Sequence, residues 1–371
     1  MKAVVIRSTS IFKDSRTTKL IKELLSKNVE VLVLGWDRLS EYSSQEEMIV
    51  GENKAKIIFY KEHCPYGGGI KNLPKSLRFQ KWVKKMVKSL PNDYIIHSCD
   101  YDTAKPAFKA RDKKKFIYDI FDYFSESRNL PKILKKFVQK GENKIVNKAD
   151  AVVICTEQRR QQIKDCSPKN LYVIHNTPNL NVDFETQETL KGDKFKVVYV
   201  GVLAENRLLR EILENSKDHA SVEFHIGGIG ALSSFVKDIA EKQDNVIYHG
   251  SMNYEDVLKL EKQTDLLFAT YDPSIPNHRY SAPNKFYEAG ALSKPIIVCK
   301  NTGVDVLVEN SNCGLTIEYD AKDFYQKVQS LIDDKELYQN LCKNGKTAYD
   351  TNYSWAIMQQ RIESMYKTIE D

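Results

Sequence analysis

The sequence predicts an α/β protein of two doubly wound, Rossmann-like domains facing one another across a cleft. Three observations point there. At 371 residues the chain exceeds what one core supports. Short runs rich in Val and Ile recur in two successive series, each alternating with stretches of helical period, which is the pattern of parallel sheets covered by helices. Between the series, residues 179–193 turn polar. The expected division is a first domain over 1–180, a linker over 181–193, a second domain over 194–353, and a final helix over 354–371 that can pack back on the first domain.

In the first series, residues 2–6 form a buried strand, 15–26 a helix with Leu20, Ile21, Leu24 and Leu25 on one face, and 29–35 a second strand. This β-α-β unit lacks Gly-x-Gly-x-x-Gly after its first strand, so the usual dinucleotide fingerprint is absent. Residues 56–60 form a third strand, and Cys64-Pro-Tyr-Gly-Gly-Gly69 a loop. Helices over 75–90 and 131–148 are amphipathic and basic; from Lys71 to Lys88 there are seven basic residues and no acidic one. Such helices fit either a solvated face or an interfacial docking surface. Strands over 94–97, 115–118, 151–155 and 171–174 complete the series. His97, Asp100, Asp119, Glu157 and Asn176 fall at or just beyond strand ends, where an open parallel sheet holds its ligand.

The second series has strands over 196–200, 222–226, 246–248, 266–269, 296–299 and 315–317. Gly201 follows its first strand and permits close backbone approach, while Arg207 opens a helix from which a guanidinium can clamp a diphosphate. Phe224-His-Ile-Gly-Gly-Ile-Gly230 reads by itself as a tight turn. Pro283 precedes a helix over 284–292, with Lys285 and Glu288 three apart in its first turn. That spacing puts both side chains on one face beside unpaired amides, which suits a phosphorylated ligand: cation and amides for phosphate, carboxylate for sugar hydroxyls. It equally fits a surface ion pair. Asp100-Tyr-Asp102 raises the possibility of a divalent metal, against which the two-domain layout argues.

Bulk properties narrow the function classes. No run approaches the roughly eighteen apolar residues of a membrane span, and Met1 to Ile6 leads straight into a strand without a signal peptide. The seven cysteines are scattered with no Cys-x-x-Cys pair, so reduced thiols in a cytoplasmic protein are expected. Charge is divided unevenly. Residues 1–185 carry 35 Lys+Arg against 22 Asp+Glu, or +13, and the remainder 21 against 28, or −7. A cationic first half suggests an acidic partner such as a membrane surface or nucleic acid. No recognised nucleic-acid module or stacking motif accompanies the basic helices, so nucleic acid is not expected.

Pro283-Asn-Lys-Phe-Tyr-Glu-Ala-Gly-Ala-Leu-Ser-Lys-Pro-Ile-Ile297 resembles the C-domain signature of GT4-type retaining glycosyltransferases with the GT-B fold, in the bacterial polysaccharide biosynthesis branch. Similarity extends through Asp14-Ser-Arg16, Leu34-Gly-Trp36, Ile96 to Asp100, Tyr118-Asp119, Ala149 to Ile154, Thr156-Glu157, Val173 to Asn176, Tyr199-Val-Gly201 and the Gly-Gly-Ile-Gly turn. The resemblance implies a nucleotide-sugar donor held by the second domain and an acceptor held by the first. It implies that Arg207 and Lys285 grip the diphosphate and act in catalysis, and that Glu288 binds the ribose. Gly227, Gly228, Ser251 and Met252 would meet the base and ribose; His97 would face the donor sugar; Gly201, Asn284 and Tyr280 would border the donor. Asp14, Arg16 and Asp119 would serve the acceptor. In this family, retention is assigned to same-face attack with a donor phosphate oxygen taking the acceptor proton, so no general base is nominated. No metal and no cofactor beyond the donor are expected. Tyr280 departs from the family, which usually has Glu there, in contact with the donor sugar.

The expectation is therefore a cytoplasmic, peripherally membrane-associated, metal-independent hexosyl- or N-acetylhexosaminyltransferase. It would move a sugar, from a UDP-sugar by slight preference, to a lipid-diphosphate-linked or glycan acceptor in capsule, exopolysaccharide or O-antigen synthesis. An anionic membrane surface would meet the basic helices. The alternatives are a non-catalytic GT-B subunit supporting a partner transferase, motivated by Tyr280, and a sugar-nucleotide epimerase of the same two-domain plan.

Overall fold

The computed structural model describes residues 1–65, 69–127, 131–180, 190 and 192–370. The chain divides into two compact units, Met1–His175 with Met358–Asp371, and Asn176–Ile357.

The first unit is built on an eight-stranded sheet. Its strands are β1 (Lys2–Ile6), β2 (Glu30–Asp37), β3 (Gln45–Val50), β4 (Asn53–Lys61), β5 (Tyr94–Cys99), β6 (Phe116–Ile120), β7 (Ala151–Ile154) and β8 (Leu171–Val173). The order is β3-β4-β2-β1-β5-β6-β7-β8, parallel except for β3, which pairs antiparallel with β4. Parallel strands buried on both faces need apolar side chains at nearly every position, which is why β1, β6 and β7 read so plainly in the sequence. β3 was not anticipated. Its Gln-Glu-Glu-Met-Ile-Val has a single buried residue, and the charged remainder suits a sheet edge that must resist further pairing. Helix Ser15–Ser26 starts where expected because Asp14 caps it, Oδ1 accepting from the Thr17 N–H at 3.1 Å.

The last turns of the chain belong to this unit. Helix Trp355–Glu370 buries Met358, Ile362, Met365, Tyr366 and Ile369. Arg361 donates to the Val173 carbonyl at 2.8 Å, and Lys27 pairs with Glu363 at 3.0 Å.

The second unit has a six-stranded sheet, all parallel, ordered β11-β10-β9-β12-β13-β14. These are β9 (Phe195–Val200), β10 (Val222–Gly227), β11 (Val246–Gly250), β12 (Leu266–Ala269), β13 (Ile296–Cys299) and β14 (Gly314–Ile317). Separate apolar clusters cover the sheet, one around Phe224, Phe268 and Phe324, the other around Phe286, Tyr287 and Val298.

The expected boundary at residue 180 moves to 175/176. The reason is local: the Asn176 amide donates to Asn284 Oδ1 at 2.8 Å and the Pro178 carbonyl accepts from the Tyr349 hydroxyl at 3.1 Å, tying 176–178 to the second unit. The second crossing lies at 357/358, not 353/354. Most of the expected linker over 181–193, and two glycines of the 64–69 loop, fall outside the described residues. Among the described residues no helix is long and apolar enough to cross a membrane, and all seven cysteines are unpaired.

Candidate functional site

In each sheet the order of the parallel strands reverses once, between β1 and β5 and between β9 and β12. The carboxyl ends of strands at such a reversal leave a crevice, the natural place for a ligand in an open parallel sheet.

In the second unit that place is crowded with the residues singled out above. Lys285, from the first turn of helix Asn284–Leu292, donates from Nζ to the Val200 carbonyl at the end of β9, and lies 4.7 Å from the centre of the Tyr199 ring. Gly201 makes room for it, since a Cβ there would lie 3.2 Å from that ammonium. Arg207 stacks 4.1 Å from the Tyr271 ring and donates from Nη1 to its neighbour Asn206. Tyr271, just past β12, has the charges of Lys285, Arg207 and Glu288 around it, so the two cations and the carboxylate share one locality.

His278 supports Arg207. Its Nδ1–H donates to the Asp272 carbonyl at 2.8 Å, leaving Nε2 to accept from Arg207 Nη1 at 3.3 Å. Burial holds the imidazole below its ordinary pKa, and of the smaller influences the Asp272 carbonyl raises it while Arg207 lowers it further. The neutral ring is the form that can accept. The Arg207 carbonyl accepts from Thr270 at 2.5 Å, and the next residue, Leu208, turns through a left-handed φ of 55°.

The glycine turn after β10 is required by contact, not merely tolerated. Gly228 has φ +116°, and a Cβ on it would stand 1.9 Å from the Gly201 carbonyl oxygen; one on Gly230 would stand 2.2 Å from that of Leu203. Gly201 N–H donates to Gly227 O at 3.0 Å, closing the two loops together. Met252 lies against this turn, its sulfur 2.8 Å from where a Gly227 Cβ would be, and Ser251 beside it is exposed. Glu288 is 3% exposed, and its Oε1 accepts from the Tyr254 hydroxyl at 2.9 Å. Tyr280 ends the short helix Pro276–Tyr280 and is half-buried; Gly303, at φ +78°, packs on the backbone of Arg279 and Tyr280.

The expected acceptor residues of the first unit, Asp14, Arg16 and Asp119, each lie in an ion pair. Arg16 pairs with Asp119 at 2.9 Å and donates to the Ile174 carbonyl at 2.8 Å. Arg7 pairs with Asp14 at 2.7 Å and with Asp100. Asp100, at φ 66°, also accepts from the N–H groups of Phe121 and Asp122 at 3.0 and 3.1 Å. Both of its oxygens are thereby engaged within the protein. Burial pushes the Asp119 carboxyl up, but Arg16 and then His97 hold it below its ordinary value.

His97, expected to face a donor sugar, is 1% exposed. Its Nδ1 meets the Tyr366 hydroxyl at 2.9 Å and its Nε2 meets Asp119 Oδ2 at 3.3 Å. Helix Trp355–Glu370 thus packs on the ring through Tyr366, and Asp119 ties it into the β5–β6 network. His97, Cys99 and Asp119 also bring ligand-type atoms within 4.8 Å of one another. Within it Asp119 is held by Arg16 and meets His97, and burial raises the Cys99 thiol well above its ordinary pKa.

Tyr254, Tyr271 and His278 were missed because no local pattern marks them, and Tyr199 was noted only as part of a motif. They become part of the site only when strands and helices far apart in sequence are brought together.

Residues 182–348 match the family described as Glycosyl transferases group 1. The capsular polysaccharide biosynthesis glycosyltransferase CapM of Staphylococcus aureus is 24% identical over 206 residues, covering 50% of this chain and 49% of its own. A second curated relative, an uncharacterised glycosyltransferase of Methanocaldococcus jannaschii, is 20% identical over 60% of this chain and 61% of its own length. The chain thus spans only about half to three fifths of the curated relatives it matches. Sucrose-phosphate synthase from Thermosynechococcus elongatus shares the fold with a TM-score of 0.78, at 15% identity, over 99% of this chain and 98% of its own. Anabaena HepE, solved in complex with UDP, does so with 0.70 and 14% over 99% and 100%. The likeness to the group 1 family model lies over residues 182–348, within the second unit, and the likeness in fold to these solved glycosyltransferases extends over the whole chain.

Proposed function

We propose that this protein is a retaining glycosyltransferase that takes a sugar from a nucleotide-diphosphate donor, by preference a UDP-sugar, and passes it to a lipid-linked or glycan acceptor of a surface polysaccharide. The observation that carries the reading is the gathering of Arg207, Lys285 and Glu288 around Tyr271, with Lys285 against Gly201, at the reversal of the second sheet. Cleavage of the sugar C1–O bond leaves negative charge on the departing diphosphate. Two cations already in place offset that charge without a metal and without reorganising as it forms. Glu288 accepts from the ribose hydroxyls, and the close-packed glycine turn borders the base. The donor phosphate oxygen takes the proton from the acceptor hydroxyl as the new bond forms on the same face.

UDP is favoured because HepE was solved with UDP, and a trehalose-6-phosphate structure from E. coli, with TM-score 0.73, with UDP-2-fluoro glucose. A polysaccharide acceptor is favoured by the likeness to CapM. A lipid carrier at an anionic membrane is favoured by helices Leu73–Ser89 and Lys132–Val146 of the first unit, whose lysines flank exposed Leu73, Leu77, Ile133, Leu134 and Phe137.

Arg207→Ala and Lys285→Ala are each expected to lower sugar transfer by about a hundredfold or more, with the melting temperature within a few degrees of the parent. Transfer assays with UDP-sugars and polyprenyl-diphosphate-linked acceptors test this. Full turnover in either variant would remove the diphosphate assignment.

A further inference from the structure

Helix Tyr254–Gln263 carries a carboxyl that the proposed chemistry does not use. Glu261 is 0% exposed, and neither of its oxygens meets a hydrogen-bond donor among the described residues. What faces it is the carboxyl of Glu288, close enough to hydrogen-bond, with Lys285 also nearby. The titratable groups around Glu261 are thus Glu288 and Lys285 on helix Asn284–Leu292 and Tyr254 on its own helix, with Tyr349 beyond Tyr254.

Two ionised carboxylates in contact present only acceptors to each other and repel. A buried pair resolves this by retaining one proton. Burial, and next the charge of Glu288, push Glu261 well above the ordinary carboxyl range despite the opposing pull of Lys285. Burial and the neighbouring Glu288 charge both favour the protonated form of Glu261.

We propose that Glu261 is a positioning residue of the donor site: as a neutral acid it donates its single O–H to Glu288 and, together with the Tyr254 hydroxyl, holds that carboxylate toward the hydroxyls of the bound nucleotide. This rests on the reading of Glu288 as the ribose acceptor. No bond other than hydrogen bonds is made or broken, and Glu261 touches no substrate.

The test is calorimetric titration of UDP, GDP and dTDP into the wild type, Glu261→Gln, Glu261→Leu and Glu288→Ala, from about pH 6 to about pH 9. Glu261→Leu removes the donor and is expected to weaken the binding nucleotide about tenfold. Glu261→Gln keeps an N–H donor and is expected to restore affinity to within about threefold. Wild-type affinity should fall as rising pH ionises Glu261 beside Glu288, while the Gln variant stays flat. Leu and Gln variants equally weak, or a Leu variant as tight as wild type while Glu288→Ala is weak, would overturn the Glu261 role alone. Undiminished binding by Glu288→Ala, or no binding of any of these nucleotides to the wild type, would overturn the underlying site reading and the proposal with it. Should the Leu variant not fold, the pH profile decides: wild type falling and Gln flat supports the proposal, and any parallel behaviour of the two contradicts it.

Discussion

A methyl group at Gly228 has nowhere to go. Its Cβ would stand 1.9 Å from the Gly201 carbonyl, and the residue sits at φ +116°, so backbone strain and clash add. Gly228→Ala is expected to cost about 2 kcal/mol or more of stability by urea denaturation, because Ala is strained wherever φ is positive. It should also displace the 201–203 loop that Lys285 leans on. Of the proposed binding residues, those in a local pattern were legible: Lys285 and Glu288 share a helix turn after Pro283, and Gly201 and Arg207 follow a strand. The partners that orient them were not. His278 reaches Arg207 across 71 positions and Tyr254 reaches Glu288 across 34. His97 shows the converse: its place at a strand end was visible, but not that Tyr366, 269 positions later, would cover it.

Helix Lys132–Val146 has two faces with different chemistry. Outward, Ile133 is 87% and Phe137 69% exposed amid lysines. Burying such side chains in a membrane is worth about 1.5–3 kcal/mol each, more than an interfacial lysine at about 1 kcal/mol. Replacing both with Ser should therefore reduce co-flotation with phosphatidylglycerol vesicles at least about tenfold without lowering the melting temperature. Flotation that fails equally with and without anionic lipid would remove the membrane from the proposal. Inward, Glu142 is fully buried and accepts from the Tyr118 hydroxyl at 2.8 Å and the Phe124 N–H at 3.0 Å. Burial raises its pKa to about 7, against the pull of those donors. A folded-state value above the unfolded one means that its contribution is present at acid pH and is lost as pH rises toward 7. Glu142→Gln should accordingly gain stability relative to wild type, by up to about 3 kcal/mol between pH 4 and pH 8. A difference independent of pH in denaturation curves would contradict this.

At the scale of the whole chain, two doubly wound sheets were legible because strands buried on both faces carry unbroken apolar runs. The edge strand β3 was not, since its charged residues serve to keep the edge from pairing and hide it from any apolar pattern. The boundary shifted for a comparable reason, as single hydrogen bonds at Asn176 and Pro178 decide which unit claims the segment. The uneven charge, +13 over residues 1–185 against −7 beyond, fits the proposed division of labour between a surface-facing unit and a unit in which Arg207 and Lys285 are reserved for a diphosphate. That reservation is the central claim, and ligand-induced stabilisation reads it directly. A ligand bound only by the folded state at about a hundred times its dissociation constant adds about 2.7 kcal/mol. Thermal melting with UDP-, GDP- and dTDP-sugars should show a rise with at least one donor, UDP-sugars first, that disappears in Arg207→Ala. No rise with any of them, or a rise that survives in Arg207→Ala, would contradict the account.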